Sequence, residues 1–181
     1  MPEDDARQRF EAMFRATYDR VLAYGLRRAD RTEAEDVVAE TYAIAWRRFD
    51  HVPADPLPWL YGVARRTLAN SRRSGRRKTQ LAQRLAAQLL PASAVEPDPS
   101  ERADDAALMR ATLAALPDAD REALMLVAWE GLDNERAAIV VGVSPQAFAV
   151  RVHRARRRLQ AEIDRRSEDW TAKERALGEE R

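Results

Sequence analysis

The sequence predicts an all-α protein made of two small helical domains joined by an acidic, proline-rich linker, the C-terminal one containing a helix-turn-helix. Three observations carry this expectation. Apolar residues recur at helical spacing along most of the 181 residues, with no convincing alternation of the kind a strand needs. The stretch PASAVEPDPS, Pro91 to Ser100, combines three prolines and two acids with few large apolar groups, the composition of a linker. The run Gly142-Val143-Ser144-Pro145 stops one helix and starts another within four residues. The expected layout is an N-terminal domain over 8–90, a linker over 91–104, a C-terminal domain over 105–166 and a polar tail over 167–181.

Each element has its own signature. Phe10, Met13, Phe14, Val21 and Leu22, with Tyr18 beside them, form one face of a first helix that Asp30-Arg31 interrupts. Thr32 with Glu35 three residues on has the pattern of a capping box, opening a second helix that runs to about Phe49. Its apolar side is Ala34, Val38, Ala45 and Phe49, flanked by Val37, Tyr42 and Trp46. DHVPADPLP, Asp50 to Pro58, is predicted as a loop, because each proline lacks a donor and restrains its predecessor. Leu60, Ala64, Thr67 and Leu68 mark a third helix continuing into an arginine run, with a short apolar helix over Thr79–Leu90 as a further expectation. Beyond the linker, helices are predicted over Ala107–Leu116, Ala119–Trp129 and Asn134–Val141, and from Pro145 to about Arg165.

Hydrophobic residues are 45% of the chain and charged residues 34%, enough apolar mass to fold and too much charge for a membrane protein. The N-terminus MPEDDARQR is acidic with no apolar segment behind it, so no signal peptide and no membrane insertion is expected. The absence of cysteine excludes disulfides and agrees with a reducing, cytoplasmic location. His51 and His153 lie far apart without metal-ligand or catalytic spacing, and no phosphate-cradling glycine loop is present. No cofactor, no metal and no enzymatic activity are therefore expected. The net charge of +1 conceals blocks: Pro56 to Pro91 has basic residues and no acid, Glu96 to Glu135 is dominated by acids, and Arg136 to Arg166 is basic again. Two basic blocks separated by an acidic one suit two contacts with a polyanion.

The second basic block is the more specific. Ser144 is a good N-cap and Pro145 suits the first helical position. Phe148, Val152, Ala155, Leu159 and Ile163 form a core-facing stripe. The opposite face carries Gln146, Ala149, Val150, His153, Arg154 and Arg157, with Arg151, Arg156 and Arg158 along its sides. A helix anchored on one face and rich in arginine on the other, starting at a capped turn, fits insertion into a DNA major groove.

Three stretches together resemble one family, the extracytoplasmic-function sigma factors of bacterial RNA polymerase, within the sigma-70 family. AEDVVAETYAIAW, Ala34 to Trp46, is similar to the family's core-polymerase-binding helix. PWLYGVARRTLANSRRSGRR, Pro58 to Arg77, resembles its promoter-melting and minus-ten-reading helix. Ala115 to Leu159 resembles its minus-thirty-five module. The resemblance implies partners: promoter DNA, core RNA polymerase through the clamp coiled coil and the flap, and an anti-sigma factor.

It also implies roles. Glu33, Asp36 and Glu40 share one helix face and become core-polymerase contacts; Ala39 stands where the family usually has glutamine. Arg65, Arg72 and Arg76 line up, with Arg66, Arg73 and Arg77 beside them, as a ridge of positive charge for a DNA backbone. Phe49, Asp50 and His51 are candidates for a pocket holding a flipped minus-ten base, and Tyr61 for stacking on exposed bases. Trp59 has the same option, with a core position favoured. Gln146, Ala149, Val150, Arg151, His153, Arg154 and Arg157 become the minus-thirty-five contacts. Ala149 and Val150 replace the family's common basic residue and serine, so hydrogen bonding to bases would fall mainly to Gln146, His153 and Arg154. The competing reading is a helix-turn-helix regulator acting without replacing the sigma factor.

Overall fold

A computed structural model of the chain describes residues 2–86, 109 and 111–179, and among these no strand occurs. The backbone groups into two units, Met1–Ala94 with Ala138–Val143, and Val95–Ala137 with Ser144–Arg181. The expected linker over 91–104 lies outside the described residues.

Helix α1 spans Pro2–Leu26, starting well before the first apolar position. Its early turns carry exposed side-chain pairs four residues apart, Arg9 to Asp5 at 3.8 Å and Arg7 to Glu11 at 3.3 Å, each a small favourable contribution. Helix α2 spans Arg31–Arg47. Its N-cap is Asp30, in extended geometry at φ −66° and ψ 170°, whose carboxylate accepts from the Glu33 N–H at 2.8 Å. The expected Thr32–Glu35 capping box is thus displaced by two residues, because Asp30 reaches the free N–H first and Thr32 is already helical. Gly25 lets the two helices cross closely: a Cβ there would stand 3.2 Å from that of Ala34.

The buried face of α2 is Ala34, Val37, Val38, Thr41, Tyr42 and Ala45. Phe14 meets Tyr42 edge-on at 4.6 Å between ring centroids. The hydroxyls of Thr17 and Tyr42 hydrogen-bond at 2.9 Å in the interior. A single 3-10 turn, Phe49–His51, follows α2, and α3 then runs without interruption from Pro56 to Ala86. Pro56 and Pro58 sit in the first turn, where a missing donor costs nothing, so the predicted loop is three residues shorter at this end. No break occurs at Thr79; the rest of that expected helix, 87–90, lies outside the described residues. Helix α1 packs on α2 and α3, and α2 on α3.

In the second unit a short helix α4, 111–115, precedes α5, Asp118–Ala128. Next along the chain come α6, Asn134–Val141, whose residues from Ala138 on group with the first unit, and α7, Pro145–Glu179, in the second. Asp118 and Asp120 occupy the first turn of α5, favourable against the helix dipole. Helix α5 packs on α7 around Leu113, Leu116, Leu124 and Ala155, with Leu159 against that cluster. Phe148 and Val152 are buried too, each such side chain contributing about 1.5–3 kcal/mol. Ile163, expected in the same stripe, is exposed. The tail also differs from expectation: α7 continues some fourteen residues past Arg165, since neither proline nor glycine interrupts it before Gly178.

Candidate nucleic-acid interface

Two ends of the helix-turn-helix are fixed locally. The Asp133 carboxylate accepts from the Arg136 N–H at 2.8 Å and caps α6. Gly142, at φ +72°, reverses the chain, and its N–H donates to the Ala138 carbonyl at 2.8 Å. Ser144 then caps α7, its Oγ accepting from the Ala147 N–H at 3.2 Å.

The rotation set by Phe148, Val152 and Ala155 decides which side chains of α7 face outward. Gln146, Val150, His153, Arg154 and Arg157 are exposed, whereas Ala149 and Arg151 are half-buried on the flanks. Val150 is 53% exposed, an apolar side chain on an otherwise polar face. The arginines of α7 sort into two groups. Arg158 pairs with the nearly buried Asp120, and Arg165 and Arg166 both pair with Glu162, at 2.6 and 2.8 Å. These two guanidinium groups hold the Glu162 carboxyl down at about 2. Arg154 and Arg157 have no ion pair among the described residues, so their charge is available to a phosphate or a base edge.

In the first unit α3 distributes its cations unevenly. Arg66 is exposed and Arg65 half-buried. Arg72 donates to the carbonyl of Arg28 just past the end of α1, and Arg73 donates to the Ala69 carbonyl at 3.2 Å. The side chains of Arg76 and Arg77 lie outside those described. Tyr61 corrects the expectation of a stacking ring. It is 1% exposed and lies against Tyr24, ring centroids 4.8 Å apart and planes 21° from parallel. Period alone could not separate a core aromatic from an exposed one. Trp59 is half-buried, and Asp50 and His51 are exposed on the 3-10 turn.

One further aromatic lies at the surface. Trp46, which helical spacing puts on the flank of the apolar side of α2, is 50% exposed. It meets Phe10 at 5.0 Å, and Phe10 meets Phe49 at 5.6 Å, so the start of the 3-10 turn is anchored to α1. Arg9 lies over the Phe49 ring at 5.6 Å.

The acidic face of α2 opens on a groove of about 720 Å³ lined by Asp30, Glu33, Asp36 and Glu40 on one side and Thr67, Ser71 and Arg72 on the other. Glu40 pairs with Arg47 at 3.1 Å, whereas Asp36 has no ion pair among the described residues. No group of acids and histidines able to hold a metal occurs among the described residues. No described helix is long and apolar enough to cross a membrane.

A helical chain with a basic face on a capped helix-turn-helix, and a separate helical unit carrying an acidic face and a cationic helix, belongs to the class of DNA-binding transcription proteins. Family models agree with both halves: sigma-70 region 2 matches residues 13–78 and sigma-70 region 4 matches residues 106–159. A probable RNA polymerase sigma factor RfaY of Xanthomonas campestris pv. campestris is 35% identical over 141 residues. That match covers 74% of this chain and 35% of the relative's length, so the chain spans about a third of that protein. The ECF RNA polymerase sigma factor EcfG of Rhodopseudomonas palustris is 35% identical over 136 residues, 74% of this chain and 71% of that one. Among solved structures, the sigma factor RpoE from Bartonella quintana, crystallised with the anti-sigma factor NepR, superposes with a TM-score of 0.59 at 25% identity, covering 87% of this chain and 98% of that one. The chain belongs to the sigma-70 family, among the extracytoplasmic-function sigma factors of bacterial RNA polymerase.

Proposed function

We propose that this sigma factor grips promoter DNA at two places and core polymerase at a third, with the roles divided among the helices described above. Helix α7 reads the minus-thirty-five element through Gln146, His153, Arg154 and Arg157, with Ala149 and Val150 offering apolar contact to thymine methyl groups. Arg151, half-buried on the flank, contacts phosphate. The sorting of arginines along α7 carries this reading: those near the groove-facing N-terminal half are unpaired among the described residues, and those further on are engaged within the protein.

Helix α3 and the turn before it hold melted minus-ten DNA. Arg65, Arg66 and Arg73 run beside the phosphates, joined by Arg76 and Arg77 from further along the helix, and Phe49, Asp50 and His51 form the edge of a base pocket. Tyr61 supports the helix from inside. Arg72 serves less as a phosphate contact, since it is tied to the end of α1 and faces the groove.

Core polymerase docks on the acidic face of α2. Asp36 leads because it has no ion pair to break among the described residues, while Glu40 must first release Arg47. Residues 8–90 form the polymerase and minus-ten domain, 105–166 the minus-thirty-five domain, 91–104 the linker, and the flap is the partner of the second domain. An anti-sigma factor is a further partner; the structural neighbour from Bartonella quintana was crystallised with one. The protein acts in the cytoplasm, without catalytic activity of its own. Gel filtration of the full chain with bacterial core polymerase tests the docking: co-migration is expected, and independent elution would return the chain to a free-standing regulator.

A further inference from the structure

Arg158 continues the arginine series Arg151, Arg154 and Arg157, and would be counted with the DNA contacts by composition alone. Its position says otherwise. It pairs with Asp120 in the first turn of α5, and the Asp120 side chain is only 9% exposed, so the carboxylate has little water to fall back on. One turn further along α7, Glu162 lies four residues on, and Arg166 four beyond that, all on the flank turned toward the rest of the unit. Glu162 binds Arg166 at 2.8 Å, and Arg166 also donates to the Ala111 carbonyl of α4 at 3.3 Å. Two tethers therefore leave the same side of α7, one to α5 and one to α4.

We infer that Arg158, Glu162 and Arg166 form a latch that fixes the axial rotation and register of the DNA-reading helix, with Asp120 and the Ala111 carbonyl as its two catches. Phe148 and Val152 seat the start of α7, but the apolar stripe weakens beyond them. Ala155 is small, Leu159 is half-buried and Ile163 is exposed, so the grip loosens along the helix just where the tethers begin. Directional, charge-assisted bonds supply what the shallow stripe lacks. Arg158 is then a positioning residue, acting on DNA through the aim of Gln146, His153, Arg154 and Arg157.

The inference rests on α7 being the minus-thirty-five reader, and one experiment separates the two. Holoenzyme reconstituted from the full chain and bacterial core polymerase selects a promoter duplex from a randomised pool, and its affinity is compared with that for a scrambled upstream element at several salt concentrations. Asp120→Asn and the milder Arg158→Gln are each expected to lower the discrimination between the two duplexes about tenfold. The double variant Asp120→Arg with Arg158→Asp is expected to recover most of it, and the salt dependence is expected to stay unchanged throughout. If Arg158→Gln instead weakened both duplexes equally and reduced the salt slope by about one, Arg158 would be a phosphate contact and the latch would be refuted. Equal weakening without a change of slope, or no rescue by the double variant, would reduce the pair to ordinary structural support. Loss of wild-type discrimination on replacing Arg154, with the Asp120 and Arg158 variants unaffected, would leave the reader standing and remove the latch. No discrimination by the wild type would overturn both.

Discussion

The rings of Tyr24 on α1 and Tyr61 on α3 lie nearly parallel in the interior of the first unit, 4.8 Å apart between centroids. The Arg28 guanidinium lies over the Tyr24 ring, 3.6 Å from its centre, and the Arg28 carbonyl accepts from Arg72. A core contact between two helices thus leads directly to the cationic helix proposed to hold melted DNA. Replacing Tyr61 with alanine should cost about 3–5 kcal/mol of stability, read by denaturant unfolding. Unchanged stability with weakened single-strand binding would restore Tyr61 as a surface stacking residue.

Tyr42 gives the fold a pH limit. Burial pushes its phenol up to about 12 from the ordinary 10, against a smaller lowering by the Thr17 hydrogen bond. A raised folded-state pKa means the contribution is fully present below pH 10 and is lost as pH rises from 10 toward 12. The denaturant midpoint should fall across that window, and Tyr42→Phe should flatten the fall. An equally steep fall in the variant would place the titrating group elsewhere.

Glu162 sets the opposite limit. Its carboxyl is held at about 2 rather than 4.5, chiefly by hydrogen bonds from Arg165 and Arg166. The contribution is present above pH 4.5 and is lost between there and pH 2. A carboxyl NMR titration should show Glu162 ionised down to about pH 2 to 3, with a normal carboxylate midpoint once both arginines are replaced by glutamine.

Gly142 turns the chain in the left-handed region with nothing within 4 Å of where a Cβ would stand. Gly142→Ala should therefore cost about 1 kcal/mol through backbone strain and none through collision. A neutral substitution in thermal unfolding would show that the turn relaxes to negative φ.

The acidic face of α2 separates two carboxylates of similar exposure. Charge reversal at Asp36 should weaken core-polymerase binding by tenfold or more, and reversal at Glu40 by less, because Glu40 already spends part of its charge on Arg47. Competition binding measures both; equal effects would mean the Glu40–Arg47 pair dissolves in the complex.

How far residues alone led can be seen at particular places. The limits of α6, the reversal at Gly142 and the cap at Ser144 were legible because each rests on a local rule about one residue type. Asp30 and Thr32 are both good caps, and only the backbone angles chose between them. The early turns of α1 hid because they carry exposed i,i+4 charge pairs and no apolar stripe. Tyr61 was misplaced because helical period says which residues share a face but not how far that face is covered. The division of α7's arginines was beyond reach for a related reason: Asp120 lies 38 residues from Arg158, and only the packing of α5 on α7 brings them together.

Transcription by purified core polymerase, supplied with this chain as its only sigma factor and followed by start-site mapping, tests the central claim most directly. Defined starts preceded by a shared upstream element are predicted, with the element losing its influence when Arg154 and Arg157 are replaced by alanine. No specific starts above core polymerase alone, or starts indifferent to those two replacements, would contradict it.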